Sequence, residues 1–220
     1  MIIINTPHNP SGSVLQKQDL STLQHIVEEH DLLVLSDEVY ERLVFDEVVH
    51  ESVLRYPGLA ERSLAVFSFG KTFHATGWKV GYVAAPAHLM REVRKSHQFV
   101  TFAVNTPVQL ALAEYLDNPE HYLMLGKFYQ KKRDFFLDQI KGSSFEPLAC
   151  RGSYFQLLDY RQVAKKTEVE MCEMLTKKLK VASIPISVFY QDGTDNNLLR
   201  FCFAKKEETL EKACAILRKL

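Results

Sequence analysis

Four short segments concentrate residues that a hydrophobic core has no use for: Asn5-Thr6-Pro7-His8-Asn9-Pro10-Ser11-Gly12, Ser36-Asp37-Glu38-Val39-Tyr40-Glu41, the stretch from Ser68 to Gly81, and Leu199-Arg200-Phe201-Cys202-Phe203. The third contains Ser68-Phe69-Gly70-Lys71-Thr72, a lysine flanked by small and hydroxylated residues, with a second cation, Lys79, eight positions on. In the second, an aspartate and a tyrosine, Asp37 and Tyr40, stand three apart. Together these are the parts that hold an aldehyde cofactor carrying a phosphate: an amine to form an imine, an acid for a ring nitrogen, and a hydroxyl and a cation for the phosphate.

Competing chemistries fit less well. Gly70-Lys71-Thr72 ends like a nucleotide-binding P-loop, but that motif needs a glycine five residues before Gly70, where Ala65 stands. No GxGxxG occurs. The eight histidines are scattered, and His25 and His30, five apart, fall on different faces of a helix, so no metal site is expected. Pyridoxal phosphate (PLP) matches the remaining inventory.

The elements that must position these residues follow from hydrophobic periodicity. Ile2–Ile4, Leu32–Leu35, Leu64–Phe67 and Val80–Ala85 read as strands, and Leu20, Leu23, Ile26 and Val27 recur at helical spacing between the first two. Residues 87–117 read as two helices, the second starting near Thr106-Pro107, where proline suits a first turn. A long helix is predicted to carry Tyr122, Leu125, Tyr129, Phe136 and Ile140 on one face and to end at Gly142. Beyond it, Tyr154–Leu158, Val181–Ile184 and Leu198–Phe203 read as strands and residues 167–180 and 206–220 as amphipathic helices. Alternation of this kind predicts an α/β layer architecture, with each chemistry-bearing segment following or ending a strand, where open α/β sheets bind ligands.

At 220 residues the chain is long enough to bury a substantial core. Its 27 basic residues cancel 27 acidic ones. Residues 1–110 carry 9 basic and 12 acidic side chains and residues 111–220 carry 18 and 15, an asymmetry too small to concentrate the chain on nucleic acid or anionic lipid. Cys150, Cys172, Cys202 and Cys214 show no CxxC spacing and read as reduced thiols, which favours a cytoplasmic location. No stretch approaches the length of a membrane span, and the N-terminus does not read as a signal peptide. Ile2-Ile3-Ile4 followed at once by Asn5-Thr6-Pro7 reads as a buried strand running straight into a loop, and a parallel strand cannot stand at the start of a domain without neighbours, so the chain is expected to begin inside a fold.

The ordered set of four segments resembles the class I, fold-type-I, PLP-dependent aminotransferases, and within them the methionine, glutamine and kynurenine aminotransferase subgroup. The likeness runs from Ile2 to Leu220. It implies the C-terminal part of the large fold-type-I domain, built of α/β/α layers, over residues 1–125, and a small α+β C-terminal domain over residues 126–220. It also implies a preceding N-terminal part that supplies a glycine-containing phosphate loop, an aromatic ring stacked on the pyridine and much of the substrate pocket. The active site would be shared across a homodimer.

By the same resemblance Lys71 is the lysine that bonds the cofactor and shuttles the proton between the substrate's α-carbon and C4′. An isolated lysine is ordinarily a solvated surface charge; Ser68, Gly70 and the step to Lys79 argue otherwise here. Asp37 would face the protonated pyridine nitrogen, where an N-cap is the structural alternative. Tyr40 and Asn9 would bond the phenolic oxygen, although a core aromatic and a turn asparagine would look the same. Ser68 and Lys79 would hold the phosphate. Many relatives place arginine at the latter position, and lysine is a point charge rather than a fork. Arg200 would clamp the substrate's α-carboxylate. Gly152-Ser153-Tyr154-Phe155 and Pro185–Tyr190 resemble segments near the substrate, but core packing explains their aromatics nearly as well, and they stay outside the expected site.

The activity implied is transfer of an amino group from a methionine, aromatic or glutamine-like amino acid to a 2-oxo acid. Two alternatives accompany it: a PLP-dependent β-lyase acting on sulfur amino acids or cysteine conjugates, and a non-catalytic fragment that another chain must complement.

Overall fold

The computed structural model describes all 220 residues, which fold into two compact units: Met1–Pro7 with Val14–Gly126, and His8–Ser13 with Lys127–Leu220. No helix is long and apolar enough to cross a membrane.

The first unit opens with β1 (Ile2–Asn5), α1 (Lys17–Glu29) and β2 (Val34–Asp37), followed by the single-turn α2 (Pro57–Ala60) and β3 (Ser63–Ser68). A second single turn, α3 (Phe69–Thr72), leads to β4 (Gly81–Ala84), then α4 (Ala87–Val100), α5 (Thr106–Leu116) and α6 (Glu120–Leu123). The sheet order is β1-β2-β3-β4, the first three parallel and β4 antiparallel to β3. β1 is an edge strand, and Ile3 is 67% exposed, so the expected buried strand is half-buried instead. Ile2 and Ile4 point the other way and pack on a core of Leu20, Val27, Val34, Val53, Leu59, Ala65 and Phe67. A fully buried aliphatic side chain of this kind contributes about 1.5–3 kcal/mol. In α1, Leu20 and Val27, seven apart, form the buried stripe, while Ile26 stays 40% exposed.

α5 begins where the sequence predicts, with Asn105 Oδ1 accepting from the Val108 amide and Pro107 in the first turn. The predicted continuous helix through Tyr122 is broken: α6 ends at Leu123, and α7 (Leu125–Ile140) starts after Met124. Gly126 marks the end of the first unit, and a Cβ there would lie 2.9 Å from the carbonyl oxygen of Val44.

In the second unit α7 is followed by β5 (Glu146–Pro147), β6 (Phe155–Asp159), α8 (Glu168–Leu179), β7 (Ile184–Pro185), β8 (Leu198–Cys202) and α9 (Glu207–Leu217). The strands form an antiparallel sheet in the order β5-β6-β8-β7. Its core includes Phe136, Ile140, Leu158, Met171, Leu175, Leu199, Phe203, Leu210 and Cys214. The strand expected over Val181–Ile184 shrinks to Ile184–Pro185. Lys180 adopts the left-handed conformation (φ 60°) at the end of α8, and the Val181 amide donates to the Leu175 carbonyl, so Val181 caps the helix instead of pairing in the sheet.

His8–Ser13 belongs with the second unit through Gly12, whose carbonyl accepts from the amides of Arg151 and Gly152 at 2.9 and 3.0 Å. Gly12 has φ +72°, and a Cβ there would sit 2.7 Å from Cys150 Sγ, so no other residue fits without displacement.

Candidate active site

In the first unit the candidate residues cluster at the carboxyl ends of β2 and β3. Asp37 closes β2. Its carbonyl accepts from Asn5 Nδ2 (2.9 Å) and from the Thr6 amide (3.0 Å), which ties the ends of β1 and β2 together. Its carboxylate accepts from the Val39 amide at 3.3 Å. Burial raises the Asp37 pKa above the ordinary 3.8; the Val39 N–H and the Lys71 ammonium pull against that, and the Glu38 carboxylate adds to it. Two tight turns follow, Glu41 N–H to Glu38 and Leu43 N–H to Tyr40, and they leave Tyr40 only 3% exposed.

β3 runs directly from Ser68 into the helical turn that carries Lys71. Gly70 lets that turn lie against the next loop, since a Cβ would stand 2.9 Å from Thr76 Cα. Thr76 Oγ1 and the Ala75 amide both donate to the Gly70 carbonyl. The result brings Lys71 Nζ to 5.7 Å from the Tyr40 ring centroid, within cation–π range. Ser68 pairs with Gly81 across the β3–β4 ladder, and Lys79 precedes that partner by two residues. Lys79 itself is held in the left-handed region (φ 56°), a conformation that costs a non-glycine residue about 1 kcal/mol or more. Thus Asp37, Tyr40, Ser68, Lys71 and Lys79 gather at one end of one sheet.

A buried carboxylate behind this cluster was not expected. Glu38 has no exposed surface; its Oε1 accepts from Ser36 Oγ (2.9 Å) and the Val53 amide (3.1 Å), and its Oε2 lies 2.8 Å from His50 Nε2. Strand alternation carries the signal: Val34 and Ser36 are buried on one face, and Glu38 continues that period just past the strand.

In the second unit Arg200 lies on β8 between buried Leu199 and Phe201, opposite Leu157 of β6 and Ile184 of β7. Its Nη1 donates to Asn9 Oδ1 at 2.6 Å. Its Cζ stands 4.0 Å from the Phe155 ring centroid and 5.8 Å from that of Phe189. Both aromatics come from the segments kept outside the expected site, and ring contact with the guanidinium is what distinguishes them from ordinary core residues.

Comparison with known proteins agrees with this reading of the fold. The family model "Aminotransferase class I and II" matches residues 1–217. Methionine aminotransferase of Escherichia coli (strain K12) is 51% identical over 100% of the chain and 57% of its own length. Kynurenine–oxoglutarate transaminase of Dictyostelium discoideum is 35% identical over 100% of the chain and 56% of its own length. Among solved structures, the Escherichia coli protein YbdL, for which a methionine aminotransferase function was identified, superposes with TM-score 0.97 at 51% identity, covering 100% of the chain and 58% of that structure. N-succinyldiaminopimelate aminotransferase of Mycobacterium tuberculosis superposes with TM-score 0.93 at 35% identity, over 99% of the chain and 57% of the structure. The chain therefore spans less than three fifths of these relatives, and its fold is the C-terminal part of the fold-type-I aminotransferase architecture. With the family model covering nearly every residue and the fold following suit, the chain belongs to the class I and II aminotransferases.

Proposed function

We propose that the protein is a PLP-dependent aminotransferase that moves the amino group of a methionine, aromatic or glutamine-like amino acid to a 2-oxo acid. The observation that carries the reading is the convergence of Lys71, Asp37 and Tyr40 at the carboxyl ends of parallel strands. The 51% identity to a methionine aminotransferase supports the sulfur amino acid within that range.

The donor set fits the cofactor. Asp37 is a half-buried carboxylate whose pKa burial raises, with the Val39 N–H and Lys71 pulling against that; a protonated pyridine nitrogen facing it would favour its charged form further. Ser68 and Lys79, at the same sheet end, supply a hydroxyl and a cation for the phosphate. The resemblance gives Tyr40 and Asn9 the phenolic oxygen; Tyr40 has a hydroxyl for that role, and the Asn9 amide, whose oxygen accepts from Arg200, has an NH2 for it. When bound, PLP supplies an electron sink for the substrate's α-carbon. Lys71 would hold the cofactor through its aldehyde group and would move the proton between the substrate's α-carbon and C4′. Arg200 would bind the α-carboxylate. The resemblance further supports a homodimer, and four free thiols suit a reducing compartment such as the cytoplasm.

The deciding experiment assays the intact protein with methionine and a 2-oxo acid, alongside Lys71→Ala. Amino transfer that is lost in the variant, together with the visible absorption band of bound PLP, is expected. Wild-type turnover by Lys71→Ala would remove the assignment. Pyruvate and ammonia formed from a cysteine conjugate with no acceptor, and no transamination, would replace it with a β-lyase.

A further inference from the structure

Glu168 is a carboxylate with no exposed surface, set in the first turn of α8 just after the capping residue Thr167. A buried carboxylate demands donors on its oxygens. Here the backbone of two other segments provides them. Oε2 accepts from the Ser187 amide, while Oε1 accepts from the amides of Asn196 (3.0 Å) and Leu198 (2.9 Å). The clasp is reciprocal, because the Glu168 amide donates to Asp195 Oδ2 at 2.8 Å and Asp195 Oδ1 accepts from the Asn197 amide at 2.9 Å.

The two segments held this way are those that present side chains around the guanidinium. Ser187 opens the helical turn that contains Phe189, and Leu198 begins β8, two residues before Arg200. Phe189 and Arg200 stand within 5.8 Å of one another, with Phe155 of β6 at 4.0 Å from the same guanidinium carbon. The β7–β8 ladder, in which Ile184 pairs with Arg200, brings the two segments together, and across the ten residues between Phe189 and Arg200 shared bonding to one carboxylate holds them.

We infer that Glu168 is a positioning residue of the α-carboxylate site: it fixes the segments bearing Phe189 and Arg200 against each other, and so fixes the plane of the guanidinium that clamps the substrate. This rests on the assignment of Arg200 in the proposed function. A bidentate clamp works only when that plane is set before the ligand arrives.

The test is Glu168→Gln in the intact, PLP-loaded protein. Whichever way the amide turns, its NH2 faces at least one of the three backbone N–H groups. KM for methionine and Ki for the competitor 4-(methylthio)butanoate are expected to rise together by about tenfold, with kcat within about twofold and the absorption band of bound PLP unmoved. A fall in kcat with KM and Ki unchanged would show a merely structural role and overturn the inference. Should the variant fail to fold, hydrogen exchange on the wild type decides. The amides of Ser187, Asn196 and Leu198 are expected to exchange as one unit; independent exchange of the three would overturn it. Wild-type protein that neither transaminates nor binds the competitor would overturn the proposed function, and the exchange measurement would then judge the clasp on its own.

Discussion

Arg200 Nη1 donates a 2.6 Å hydrogen bond to Oδ1 of Asn9, a residue 191 positions earlier in the chain. A charge-assisted bond of this kind contributes about 1.5–3 kcal/mol. It also commits one edge of the guanidinium to a neutral acceptor, which orients the fork without neutralising the charge that a substrate carboxylate needs.

Asn9→Ala is therefore expected to raise KM for the amino acid by about tenfold. Asn9→Asp should raise it further, because an ion pair with Arg200 competes with the substrate's own carboxylate. Steady-state kinetics on both variants check this, and equal KM values for wild type and Asn9→Asp would contradict it.

Asp37 sits where function opposes stability. Its pKa in the folded chain is raised above 3.8 by burial, so its contribution to stability is fully present below that value and is lost as pH rises through the folded pKa. Asp37→Asn should accordingly stabilise the cofactor-free protein at pH 7, by less than about 1 kcal/mol given the partial exposure. The gain should vanish near pH 3, and the variant should lose most of its transaminase activity. Urea unfolding at the two pH values, with an activity assay, measures both effects.

Removing the Glu38 carboxylate strands the Val53 amide and the Ser36 hydroxyl inside the core. Glu38→Ala is expected to destabilise by about 2–4 kcal/mol, against about 1 kcal/mol for Ser36→Ala. Their effects should not add, since the two side chains share a bond, and a double-mutant cycle by urea unfolding reads the coupling.

Lys79 combines a left-handed backbone with a charge assigned to the phosphate. Lys79→Gly relieves the backbone and removes the charge. The cofactor-free protein should unfold at the same urea concentration or a higher one, by up to about 1 kcal/mol in stability, while affinity for PLP falls at least about tenfold. A variant losing stability and affinity together would show that the conformation, not the charge, matters.

Much of the fold was legible because it depends on local pattern. Leu20 and Val27 lie one heptad apart on α1, Asn105 and Pro107 mark the start of α5, and the alternation of Val34 and Ser36 reports a strand face. Other features carry no such mark. The break between α6 and α7 falls at Leu123-Met124-Leu125, three good helix formers, with Gly126 directly after them. The capping of α8 by Val181 depends on the left-handed turn at Lys180, another residue whose type does not announce it.

The candidate site divides the same way. Residue types and order alone determined that Lys71, Asp37, Tyr40, Ser68 and Lys79 would lie near strand ends, because chemistry and strand punctuation are both written in short stretches of chain. Tertiary structure alone decided that Asn9 bonds Arg200, that Phe155 and Phe189 meet its guanidinium, and that Glu38 and Glu168 are buried hubs rather than solvated charges. A carboxylate looks the same in sequence whether water or backbone amides satisfy it, and which of the two does so is settled by segments 15 to 30 residues away.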